Sequence, residues 1–93
     1  MQDINEFNFK EAEEVLKLNK INYISRQTCD KFLLSYRIKP YLFITLEFSF
    51  YNPNFFCIVE EELLTREIKN MYYSENLVEA VNKFIKYIKN YEK

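Results

Sequence analysis

No glycine occurs anywhere in the chain. Every turn that needs a positive φ must therefore be built from residues that carry a Cβ. Asparagine tolerates that region best among the remaining types, so the turns are expected to fall on Asn, Pro and Lys. The average protein contains about 7% glycine. Part of the deficit follows codon bias, because the chain is rich in Phe, Tyr, Ile, Asn and Lys and poor in Gly, Ala, Arg and Pro. That skew points to an AT-rich genome, such as a low-GC bacterium, a phage or a mobile element.

Histidine is also absent. The two absences remove whole classes of chemistry. Without glycine there is no phosphate-cradling loop and no dinucleotide fingerprint. Without histidine there is no Ser-His or Cys-His pair, no imidazole base and no imidazole metal ligand.

The 93 residues are 48% hydrophobic and 29% charged, the balance of a globular chain. They are read as one domain, 1–93, and as a complete small reading frame. Nine Phe and eight Tyr let so short a chain build a substantial core. A net charge of −1 does not steer the chain toward nucleic acid or an anionic membrane. The apolar runs fall far short of the ~20 residues that span a bilayer. The start, MQDINEFNFKEAEE, is too acidic for a signal peptide. Cys29 and Cys57 form no CxxC and are expected as free thiols in a reducing cytoplasm.

Periodicity predicts an α+β fold in the order α-(β)-β-β-β-β-α, with an antiparallel sheet of three to five strands. The first helix is expected over 9–19, capped by Asn8, with Glu11 at capping-box spacing. Residues 21–30 suit a short edge strand followed by a turn at Thr28-Cys29-Asp30. The clearest alternation runs over 31–38 and 41–51, where Leu42, Ile44, Leu46, Phe48 and Phe50 share one face. A three-residue loop at Lys39-Pro40 would keep the even residues of both strands together. Asn52-Pro53-Asn54 marks the next turn, 55–59 a central strand, and 62–72 reads better as strand than helix. The last helix is expected from a Ser74 cap to about Tyr91, with Tyr73 stapled onto Val78. Leu77, Val78, Val81, Phe84, Ile85 and Ile88 form its apolar arc. Both helices are expected on one sheet face, leaving the other uncovered.

Four sets of residues could carry function. Cys57 and Cys29 lack a histidine to activate them, so Cys57 reads as a buried apolar filler and Cys29 as a loop residue. Glu60, Glu61 and Glu62 read as a solvated strand end, and Glu47 as ordinary polar alternation. Neither set supplies acid–base roles or a metal site, so no cofactor or metal is expected and the chain is not read as an enzyme. Lys83, Lys86, Lys89 and Lys93 form a basic stripe on the last helix. The uncovered sheet face is expected to present Tyr41, Phe43, Thr45, Glu47, Ser49 and Tyr51, with Arg37 beside them, in the aromatic-and-polar mixture of an interface core.

The leading expectation is a small non-catalytic cytoplasmic module that binds a protein through that face. In size and composition it is similar to inhibitors, antitoxins and immunity-type proteins. One alternative is a nucleic-acid-binding module using the same face with the lysine stripe. Another is a homodimer closed by that face, as an accessory or structural protein.

Overall fold

The computed structural model describes residues 4–52 and 54–91. Its elements are α1 (Ile4–Leu18), β1 (Ile24–Gln27), β2 (Lys31–Lys39), β3 (Leu42–Ser49), β4 (Phe56–Glu62), β5 (Glu67–Ser74) and α2 (Leu77–Tyr91). The five strands form one antiparallel meander in sequence order, so β1 and β5 are its two edges. This is the expected α+β architecture, with both helices against the same sheet face.

Helix α1 begins upstream of the expected Asn8 cap. Nothing before Asn8 breaks a helix, and Glu6 pairs with Lys10 one turn on. Asn8 therefore lies inside the helix. Phe9, Ala12 and Leu16 are the buried face. The helix ends in a Schellman motif: the Ile21 amide donates to the Leu16 carbonyl and the Lys20 amide to the Lys17 carbonyl, each at 3.0 Å. Ile21 and Leu16, both buried, supply the apolar contact that accompanies the motif. Lys20 takes the left-handed position (φ 58°), and Arg66 does the same in the β4–β5 turn (φ 59°). The expectation that asparagine would fill such positions is corrected. Each such position costs roughly 1–2 kcal/mol for a residue with a Cβ.

The β2–β3 hairpin reaches the expected register by a different route. Its loop is only Pro40-Tyr41, with Lys39 opposite Leu42. That pairing alone would set odd residues against even ones. A bulge at Ile38 absorbs one residue, so Tyr36 faces Ile44 and Leu34 faces Leu46. The even residues of β3 do point at the helices, and Ile44, Leu46 and Phe48 are fully buried with Leu34, Phe56 and Ile58. Aromatic rings run through this layer, Phe9 against Phe32 and Phe48, and Phe48 against Phe56.

The segment 62–72, expected as one strand, is divided: β4 extends through the glutamate run to Glu62, residues 63–66 turn, and β5 begins only at Glu67. A second bulge at Met71 interrupts β5 between Asn70 and Tyr72. Ser74 remains paired with Phe56 at the strand end, so the α2 cap falls to Asn76 instead. The Asn76 side-chain oxygen accepts the Glu79 amide at 2.9 Å. Ala80, Val81, Phe84, Ile85 and Ile88 are buried, while Val78 is exposed. The expected staple is absent because Tyr73 lies on the opposite sheet face, stacked on Phe55 at 5.5 Å.

Two tyrosines tie the helices down. Tyr23 donates to the Glu13 carboxylate on α1, and Tyr91 at the end of α2 donates to Glu60 on β4. Burial first, then the Glu13 bond, pushes the Tyr23 hydroxyl up to about 12. For Tyr91 the Glu60 bond is the main cause of a rise to about 12.

Candidate interaction surface

Cross-strand partners share a face, so the register defines what the helix-free side presents. Its rows are Leu33, Glu47, Cys57 and Tyr73; Ile24, Ser35, Thr45, Val59 and Asn70; and Arg37, Phe43, Glu61 and Ile68. Among the described residues no helix covers this face, yet its centre is closed. Ser35 and Thr45 are 0% exposed, Val59 2% and Leu33 7%.

The closure comes from the face's own long side chains. Arg26 reaches inward from the edge strand β1, where its guanidinium donates to Ser35 Oγ at 2.7 Å and lies 3.1 Å from Glu61 on β4. Ser35 and Thr45 hydroxyls bond each other at 2.9 Å beneath it. One arginine thus spans four strands by meeting a carboxylate that leans back toward it. Lys31 and Glu47 form a second pair at 3.3 Å nearer the other end.

This arrangement redistributes the expected surface. Thr45 is sealed under Arg26 and touches no solvent. Tyr41 and Tyr51 are off the strand altogether, because β3 spans only 42–49. Tyr41 sits in the β2–β3 turn and Tyr51 in the β3–β4 loop, both exposed, at opposite ends of the sheet. Pro53, in that loop, lies outside the described residues. Glu47 and Ser49 line a groove of about 570 Å³ with Lys31, Phe55, Cys57 and Tyr73. Phe43 and Arg37 remain on the face together, the guanidinium 5.7 Å from the ring centre.

Cys57 is half-buried on this face rather than a core filler, with its thiol 3.9 Å from Asn70 Oδ1. Burial pushes the thiol up, Glu47 adds to the rise and Lys31 opposes it. The protonated form is favoured, which is the opposite of nucleophilic activation. The four glutamates are dispersed: Glu47 to Lys31, Glu61 to Arg26, and Glu60 to Tyr91 on the helix side. Glu60 and Glu62 share a shallow hollow beside Tyr41 and Leu64. Among the described residues no group of three or more acidic or sulfur ligands converges on a metal position.

The lysine stripe lies on α2, away from the open face. Lys83 sits over the rings of Tyr72 and Tyr87, each at 5.4 Å. Lys86 and Lys89 are exposed on the outside of the helix layer, and Lys93 lies outside the described residues. The helix layer separates the stripe from the open face, so the two do not form one surface.

What the period-2 pattern did not reveal is the end of the sheet where two hairpin tips meet. The Leu63 amide donates to the Tyr41 carbonyl at 2.8 Å, joining the β4–β5 turn to the β2–β3 turn. Around this junction Tyr41, Leu63, Leu64 and Ile68 are all exposed, Leu64 and Ile68 at 67%. Phe43 and Arg37 continue the patch onto the face through the Phe43–Glu61–Ile68 row. The LLTR turn carries the sequence signal, two adjacent leucines at a hairpin tip, but the strand expected over 62–72 runs straight through it. No family model matches the chain, and neither the curated proteins nor the solved structures provide a match.

Proposed function

We propose that this chain is a small non-catalytic protein-binding module whose contact surface is the hairpin-tip end of the sheet, where Arg37, Phe43 and Ile68 on the open face meet Tyr41, Leu63 and Leu64 in the two turns. The observation that carries the reading is three large exposed apolar side chains, Tyr41, Leu63 and Leu64, at the junction of two turns, with exposed Ile68 at the start of β5 beyond them. Apolar side chains left at least half exposed bury little area for the fold, and grouped with an arginine over an aromatic ring they have the composition of a binding hot spot. Two paired hairpins, joined at their tips by the Leu63–Tyr41 bond, hold the patch in place before contact. Surface occupation of this kind suits an inhibitor, antitoxin or immunity-type role in the cytoplasm, where free thiols such as Cys29 and Cys57 persist.

The test is retention of a host protein on the immobilised chain, identified by mass spectrometry and then measured with purified components. Leu64→Glu and Phe43→Glu are expected to weaken binding at least tenfold, and Tyr51→Glu, at the far end, to leave it unchanged. Loss of binding in the Tyr51 variant with retention in the other two would move the surface to the opposite end and overturn this assignment.

A further inference from the structure

The two edges of the sheet are not equivalent. Strand β1 is four residues long, and its Arg26 is committed to the open face. Strand β5 is eight residues long, and its first four residues, Glu67–Asn70, are all exposed. Among the described residues it pairs only with β4, so no strand lies along its other side. Such an edge is a template for another strand unless something blunts it. The Met71 bulge interrupts the far half of β5 and leaves the near half straight.

That near half is self-complementary. Its central sequence is Glu67-Ile68-Lys69, with opposite charges placed symmetrically about an apolar residue. Antiparallel pairing of two copies about a dyad at Ile68 sets Ile68 against its own equivalent. It also sets each Glu67 against the Lys69 of the other copy. Residues opposed across an antiparallel pair project to the same face. The register with β4 puts Ile68 on the open face beside Glu61, and Glu67 and Lys69 on the helix side beside Glu62 and Glu60. The pairing would therefore cover two exposed isoleucines on one face and form two ion pairs on the other. Within one copy, Glu67 stands opposite Glu62, a like-charge contact that a lysine from a second copy relieves.

We propose that β5 is a homodimerisation edge, and that its partner is a second copy of this chain joined by the Glu67-Ile68-Lys69 segment in a continuous ten-stranded sheet. Because the dyad is normal to the sheet, both helix layers lie on one side and both open faces on the other. The two hairpin-tip patches then adjoin across the dyad. The dimer does not depend on the identity or existence of a tip-patch partner, and each can fail without the other.

The experiment is analytical ultracentrifugation of the full chain over a wide concentration range, with charge variants. The native chain is expected to show a reversible monomer–dimer equilibrium. Lys69→Glu alone and Glu67→Lys alone each set like charges against each other across the dyad, and each should weaken dimerisation at least tenfold. Mixing these two variants restores every Glu–Lys opposition and should yield the heterodimer. The double swap, Glu67→Lys with Lys69→Glu, should restore the homodimer. Circular dichroism melting confirms that each variant is folded. A native chain that stays monomeric throughout overturns the proposal. So does a dimer that persists undiminished in both single variants, which would place the contact elsewhere, or single variants whose mixture does not associate.

Discussion

The centres of the sheet's two faces are both closed, by different physics. On the helix side, Leu34, Ile44, Leu46, Phe48 and Ile58 are fully buried against Leu16, Phe84 and Ile88. On the other side, Ser35 and Thr45 are equally inaccessible with no layer above them. There the cover is one arginine, drawn across the sheet by two hydroxyls and a carboxylate. The first solution removes apolar area from water and scales with that area. The second rests on a few hydrogen bonds, each worth far less net because water competes for the same groups. An uncovered sheet face is therefore not a free one. Exposed surface remains where the clasp stops, and the largest apolar gathering is at the hairpin tips.

Three perturbations separate the faces. The largest effect is expected at the helix layer: Phe84→Ala should lower unfolding free energy by about 3–5 kcal/mol, read by denaturant titration. Arg26→Ala should cost about 1.5 kcal/mol, since it removes charge-assisted bonds from a partly exposed side chain. Arg26→Lys should recover little of this, because an ammonium lacks the fork that meets Ser35 and Glu61 together. An Arg26→Ala cost as large as that of Phe84→Ala would mean the two faces contribute alike.

A smaller effect distinguishes the faces by pH. Tyr23 and Tyr91 anchor the helices and are held neutral in the folded state to about 12, against an unfolded value of about 10. Their contribution is thus fully present below pH 10 and lost as pH rises toward 12. Melting temperature should fall through that window, and the paired substitution Tyr23→Phe, Tyr91→Phe should flatten the fall. An unchanged slope would show that these hydroxyls do not link the helices to alkaline stability.

The strand pattern was legible because burial on one face imposes a period of two, and Leu42 to Phe48 obey it cleanly. The α2 apolar arc was legible for the same reason at a period of 3.6, apart from Val78 near its start. Ends and turns were less so. Asn8 and Ser74 are good cap residues by type, but the neighbouring chain decides whether a helix begins there. Asn76 competes with Ser74, and nothing upstream of Asn8 stops α1. Lys20 and Arg66 hold left-handed conformations because the Schellman exit and the β4–β5 turn impose them, not because their side chains favour them. Arg26 was invisible as a functional residue. Its role depends on strands β1 to β4 being adjacent, and no local spacing encodes that. The aromatic set split for a related reason: Tyr41 and Tyr51 fit the alternation of β3 but fall one and two residues beyond its ends, where alternation no longer dictates direction.

The most direct test of a self-closed open face is residue-level solvent labelling, such as hydroxyl-radical footprinting of the native chain. Leu33 and Val59 on the helix-free side should be labelled as slowly as Ile58 in the core, while Leu63, Leu64 and Tyr41 are labelled rapidly. In the Arg26→Ala chain, labelling of Leu33 and Val59 should rise while that of Ile58 does not. Rapid labelling of Leu33 and Val59 in the native chain would contradict the account, because the face would then be open along its whole length.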